Sequence, residues 1–123
     1  YHGDKLLPAF GEERLEWMFA ARSFLDAGII VSAHSDYGAG PMPPLMGIHA
    51  LVNRLTKAGK PIGQSQKITV MEALKLYTIN AAYHAFDEDK FGSITPGKYA
   101  DFTVYGKDIL TVPTNEIIDI PID

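Results

Sequence analysis

At 123 residues the chain is long enough for one ordinary domain and too short for two. Its composition, 46% hydrophobic and 21% charged, is that of an ordinary globular chain, and a net charge of −4 leaves no basic footprint for nucleic acid. With no cysteine, disulfides and thiolate metal sites are excluded, and no apolar run approaches the roughly 18 residues that span a bilayer. No signal peptide is recognisable, but the chain opens on Tyr1, so this excludes nothing. Its location is unassigned, with the cytoplasm as the default expectation.

Residues 1–10 read as a loop, with Gly3 and Pro8 as breakers. A helix is predicted from Glu12 to Ala27. Leu15, Met18, Phe19 and Arg22 share one of its faces, with Leu25 close by. Glu12 and Glu13 occupy a first turn that favours anions, and Gly28 follows as a stop signal. Ile29 to Ser32 is short, apolar and without alternation, the pattern of a strand covered on both faces. Pro43-Pro44 opens a second helix in which Leu45, Ile48, Val52 and Leu55 repeat at helical spacing, and Gly59 closes the element. A polar connector runs from Lys60 to Lys67. Thr69-Val70-Met71-Glu72 has the form of a capping box, a hydroxyl at the N-cap and Glu three positions on. It opens a third helix to Ala85, with Val70, Ala73, Leu74, Tyr77 and Ala81 on its buried face.

Beyond this the pattern changes. Ile94-Thr95-Pro96-Gly97-Lys98 centres Pro-Gly as a type II turn prefers. Asp101 to Tyr105 alternates like a strand, as do Ile118, Ile120 and Ile122, and Pro121 confines that last strand to an edge. A strand buried on both faces needs parallel neighbours to pair its backbone, and nothing else in the first 90 residues reads as a strand. The expectation is therefore a chain that borrows strands, from a larger polypeptide or from another copy of itself.

Four blocks stand in order: FLDAGIIVSAHSD, PPLMGIHALVNR, ITVMEALKLYTINAAYHAF and GSITPGKYADFTVYGKDILTVPTNEIIDIPI. Together they resemble the C-terminal portion of the amidohydrolase superfamily, in its group of metal-dependent hydrolases related to N-acyl-amino-acid and formamide hydrolases. The resemblance implies an α/β fold: the last strand and flanking helices of a (β/α)8 TIM barrel over residues 1–88, and part of a composite β-sandwich over 89–123. It makes Ile29 to Ser35 the eighth barrel strand, and active sites lie at the C-terminal ends of barrel strands.

Asp36 stands at that end. The resemblance implies that it binds a divalent metal, zinc by expectation, and shuttles protons while a metal-activated water hydrolyses an amide-like C–N bond in a small-molecule substrate. An aspartate is ionised near neutrality and is a hard oxygen ligand, which suits that chemistry. The alternative role for Asp36 is to cap the loop after the strand. His34 lies on the same strand face, where relatives carry a small residue. It is read either as a partner that orients Asp36 or as a satisfied histidine of the barrel interior. Relatives often have an aromatic followed by Pro after the Asp, whereas here Tyr37 is followed by Gly38-Ala39-Gly40. Tyr37 and Met42 are candidates for the wall of the substrate pocket, or for plain packing. His2 could line the pocket or lie in solvent, and His49 and His84 fall on predicted helices.

The further ligands that the resemblance implies, histidines and a carboxylated lysine or glutamate on earlier strands, are not in this chain. A zinc site takes about three protein ligands, so the isolated chain is expected to hold no metal well and to turn over nothing. The rival reading is a non-catalytic assembly or binding module on the same scaffold, and a third is a self-contained small α/β domain. Neither a nucleic acid nor a membrane is an expected partner.

Overall fold

The computed structural model describes residues 1–123. Helix α1 spans Gly3–Glu16, so the predicted opening loop is helical. Gly3 breaks nothing there: a Cβ would meet Thr56 and Ile62 at 2.8 and 2.9 Å, so it is a close-approach residue. Pro8 lies inside the helix, and the real break is Gly11, where φ of 74° and ψ of 164° join two helical pieces.

The helix predicted over 12–27 is also interrupted. It resumes as α2, Ala21–Asp26, after a turn in which Phe19 takes a φ of 56°. The cause is tertiary. The Arg54 guanidinium donates to the carbonyls of Met18 (2.9 Å) and Phe19 (3.3 Å), drawing them out of a helical ladder. Leu15 and Ala21 are buried, but Phe19 is left outside the face assigned to it. Gln66, itself buried, fastens α2 from below by accepting the Ser23 N–H (3.0 Å) and donating to the Ser23 hydroxyl (2.8 Å).

Ile29 to Ser32 forms no strand ladder in this chain. Its backbone is held by helices instead: the Ala33 N–H donates to the Leu76 carbonyl (3.2 Å), and Asn80 Nδ2 donates to the Val31 carbonyl (2.8 Å). Val31 and Ala33 pack on the core, while Ile29 and Ile30 stay 50% and 44% exposed. A ladder needs a second strand at about 4.8 Å, and this chain brings none alongside.

Helix α3, Pro44–Asn53, starts on its proline and buries Leu45, Ile48 and Val52 as the spacing requires. It ends earlier than predicted. Arg54 turns left-handed (φ 52°), and the chain reverses through a tight loop in which Thr56 N–H donates to the Lys60 carbonyl at 2.8 Å. Leu55 therefore leaves the helical face and is exposed.

Thr69 and Glu72 make the predicted reciprocal cap: Glu72 N–H donates to Thr69 Oγ1 (3.2 Å) and Thr69 N–H to Glu72 Oε2 (2.8 Å). The helix they open divides into α4, Val70–Tyr77, and α5, Ile79–His84. Thr78 lies between them with φ −125° and ψ −99°, its hydroxyl donating back to the Leu74 carbonyl at 2.8 Å. Leu76, absent from the predicted face, is one of the most buried residues of the chain.

In the last third, the Thr95–Lys98 turn closes as expected, with Lys98 N–H on the Thr95 carbonyl (3.2 Å) and Gly97 at φ 96°. The two closing segments touch antiparallel at Tyr105 and Ile122, where Gly106 N–H donates to the Pro121 carbonyl (2.9 Å) and Asp123 N–H to that of Val104 (3.1 Å). The predicted alternation over 118–122 fails because Thr114–Asp119 is a 3-10 segment. Its period of three puts Ile117 and Ile120 inside and leaves Ile118 outside.

The core lies where this segment crosses α3 and where α3 meets α4: Ile48, Val52, Leu76, Ile109, Ile117 and Ile120 form its centre. The accessible surface is 8117 Å² for 13.5 kDa. A closed monomer of that mass exposes about 6,500 Å², so apolar surface stays open. Phe86 is 91% and Ile94 87% exposed. No helix is long and apolar enough to cross a membrane.

Candidate functional site

The chemistry expected of this chain centres on the loop after residue 35. Asp36 adopts a left-handed backbone, φ 52°, which Asp tolerates better than most residues. Its carbonyl accepts the N–H groups of Ala39 (2.9 Å) and Gly40 (3.3 Å), closing a tight loop through Gly38, itself at φ 108°. Its own N–H donates to Nδ1 of His34 at 3.0 Å, which requires a lone pair on that nitrogen. From the far side, His2 Nε2–H donates to the Ala39 carbonyl at 2.6 Å, with the Tyr1 ring edge-on to the imidazole at 4.8 Å. The loop is thus fastened at its start by His34, across its turn by backbone bonds, and at its tip by His2.

The Asp36 side chain is exposed and unengaged by any hydrogen bond or ion pair in the chain. Tyr37 and Met42 are also open, at 77% and 64% exposure, and neither they nor Asp36 line the two best-formed clefts. His34 is exposed rather than packed in an interior. The one well-shaped cleft lies elsewhere, between α3, α4 and the closing segments, walled by Leu45, Ile48, Leu74, Tyr77, Tyr105 and Ile122. Burial pushes the Tyr77 and Tyr105 phenols up, and no His, Asp or Glu lines this cleft. It is a packing groove whose titratable groups are those two phenols.

The remaining histidines are structural. His49 pairs with Asn53 on α3 (3.2 Å), and His84 meets the Ser32 hydroxyl at 2.7 Å. The second contact was not legible in the sequence. Together with Asn80 on Val31, it clamps the segment leading to Asp36 onto α5, and no spacing rule links residues about fifty positions apart.

A metal of the kind the resemblance implies would need about three protein ligands. No three His, Cys, Asp or Glu side chains come together here, and the Nδ1 lone pair of His34 is committed to the backbone. The residues present do not by themselves fit a metal; the loop offers one carboxylate.

The profile of the Amidohydrolase family matches residues 2–122. The chain is 36% identical over 105 residues to the N-substituted formamide deformylase of Arthrobacter pascens, a match covering 85% of this chain and 19% of that protein. It is 33% identical over 106 residues to YtcJ of Bacillus subtilis, assigned to the amidohydrolases, covering 84% of this chain and 20% of that one. It is 35% identical over 101 residues to the imidazolonepropionase of Fusobacterium nucleatum, covering 81% and 22%. The chain therefore spans about a fifth of the length of the curated relatives it matches. No solved structure matches it.

Proposed function

The chain belongs to the amidohydrolase family, and from that membership we propose that it is the C-terminal part of a hydrolase acting on an amide-like C–N bond. In this reading residues 1–88 complete a (β/α)8 barrel, with 29–35 as its last strand, and 89–123 add to a composite β-sandwich. The open apolar surface and the unpaired 29–35 segment support it, since both are what a barrel end looks like without its neighbours.

Asp36 carries the chemistry. Water adds through oxygen to the carbonyl carbon, the C–N bond breaks, and the products are a carboxylic acid and an amine. The Asp36 carboxylate accepts the proton that the attacking water loses and returns it to the departing nitrogen. Its side chain is unspent and outward while its backbone is held, which is the state such a group needs. In the assembled protein Asp36 also offers one carboxylate oxygen to a divalent metal, zinc, whose other ligands come from elsewhere. Such an ion would supply Lewis-acid polarisation. Tyr37 and Met42, open beside Asp36, wall the substrate site in this reading.

The single observation that carries the proposal is a free, exposed carboxylate on a rigidly closed loop at the end of a segment that lacks its sheet neighbours. The test is Asp36→Asn in the intact protein, assayed on N-formyl amines, the class named by one relative. Turnover should fall by about 10²- to 10⁴-fold. A near wild-type rate would overturn the assignment.

A further inference from the structure

We propose that His34 is a positioning residue for Asp36, an inference that rests on the acid–base role just given to that carboxylate. Three features of the loop point to it. Asp36 sits in the left-handed region, φ 52°, a conformation that a non-glycine residue keeps only where its surroundings fix it. The other bonds that close the loop all end on carbonyls: Asp36 O takes Ala39 and Gly40, and Ala39 O takes His2. The Asp36 N–H has one acceptor in the chain, His34 Nδ1 at 3.0 Å.

The bond spans two residues, from a side-chain acceptor at i to a backbone N–H at i+2. This is the geometry by which Asn and Asp side chains close Asx turns. A histidine here makes the same turn with a ring in place of the amide or carboxylate. The carboxylate is left without any partner, so what His34 fixes is the direction in which the Asp36 Cα–Cβ bond leaves the backbone. Glycine or alanine at position 34 has no side-chain acceptor and could not do this.

The test compares His34→Leu, which removes the acceptor, with His34→Asn, which restores one at the same spacing, in the intact protein with an N-formyl amine as probe. Removing an outer-shell partner of this kind costs about 10- to 100-fold. The expectation is a loss of that size in kcat for His34→Leu, with KM and thermal midpoint unchanged. Amide-hydrogen exchange at Asp36 should accelerate in the same variant. His34→Asn should recover most of the rate and the protection. Wild-type kcat and exchange in His34→Leu would overturn the proposal while Asp36→Asn still abolishes turnover. So would a His34→Asn variant as impaired as His34→Leu, because the ring itself would then be needed rather than its acceptor. Retained turnover in Asp36→Asn would instead remove the underlying reading, and the His34 assignment with it.

Discussion

Asn53 and Thr114 exchange two hydrogen bonds: the threonine hydroxyl donates to Asn53 Oδ1 at 2.7 Å, and Asn53 Nδ2 donates to the Thr114 carbonyl at 2.9 Å. The pair joins the last residue of α3 to the first residue of the 3-10 segment that crosses it. Asn53 is buried and relies on protein partners for its amide, whereas Thr114 is exposed to water. Asn53→Ala removes both bonds and should destabilise the intact protein by about 0.5–1.5 kcal/mol for each. Thermal unfolding with Thr114→Val as the partner variant checks this; the double variant should lose less than the sum. Additive losses would mean that the two residues act separately.

Gly47 faces the Tyr77 hydroxyl across the α3–α4 contact, and a Cβ there would overlap the phenol oxygen and crowd Cζ at 2.8 Å. Gly47→Ala should therefore cost about 1–3 kcal/mol as overpacking, although alanine is the better helix former. Tyr77→Phe removes the hydroxyl and should recover part of that loss in the double variant. Gly47→Ala with an unchanged or raised thermal midpoint would show that the helices can part here at no cost.

The Glu72 carboxyl is held below the usual glutamate range, chiefly by the Thr69 backbone N–H, against the opposing effect of burial and with further lowering from the Arg22 guanidinium at 2.8 Å and the Thr69 hydroxyl. A folded-state value below the unfolded one means that the native protein binds fewer protons. This stabilisation is complete above the ordinary value of 4.5 and is lost as pH falls through the folded value. Glu72→Gln keeps the shape and removes the titration. The wild-type advantage in thermal midpoint should stay constant above about pH 5 and shrink below the ordinary value. Glu16, lowered by its bonds to Ser65, titrates in both proteins and cancels in the difference. A gap that is flat into acid would refute the assignment.

Much of α3 and α4 was legible because their signals lie within one or two helical turns. Leu45, Ile48 and Val52 repeat on one face, and Thr69 and Glu72 are three residues apart, so a pattern match and the physical contact are the same thing. The Thr95–Lys98 turn was legible for the same reason, since Pro96 and Gly97 preset the angles the turn needs. At the candidate site, Asp36 and His34 could be named from the chain. That His34 accepts the Asp36 N–H rather than packing inward could not, because spacing does not fix a ring's rotamer. His2 on Ala39 was out of reach altogether, 37 positions away.

The sequence by itself determined the start and buried face of α3, the cap of α4 and the Thr95–Lys98 turn and, through four ordered blocks spread along its length, the family to which the chain belongs. Tertiary structure alone decided where the predicted helices break inside their spans. Arg54 takes the carbonyls of Met18 and Phe19 from 36 and 35 residues away and breaks the helix predicted over 12–27. The crossing of α3 by residues 114–119 puts Ile117 in the core beside Ile120 and leaves Ile118 and Ile122 of the alternating set outside. The 29–35 segment makes the point most sharply. Its apolar character is written in Ile29, Ile30 and Val31, but a strand is a relation between two segments, and hydrogen-bond partners that lie far along a chain leave no mark on the residues they pair with.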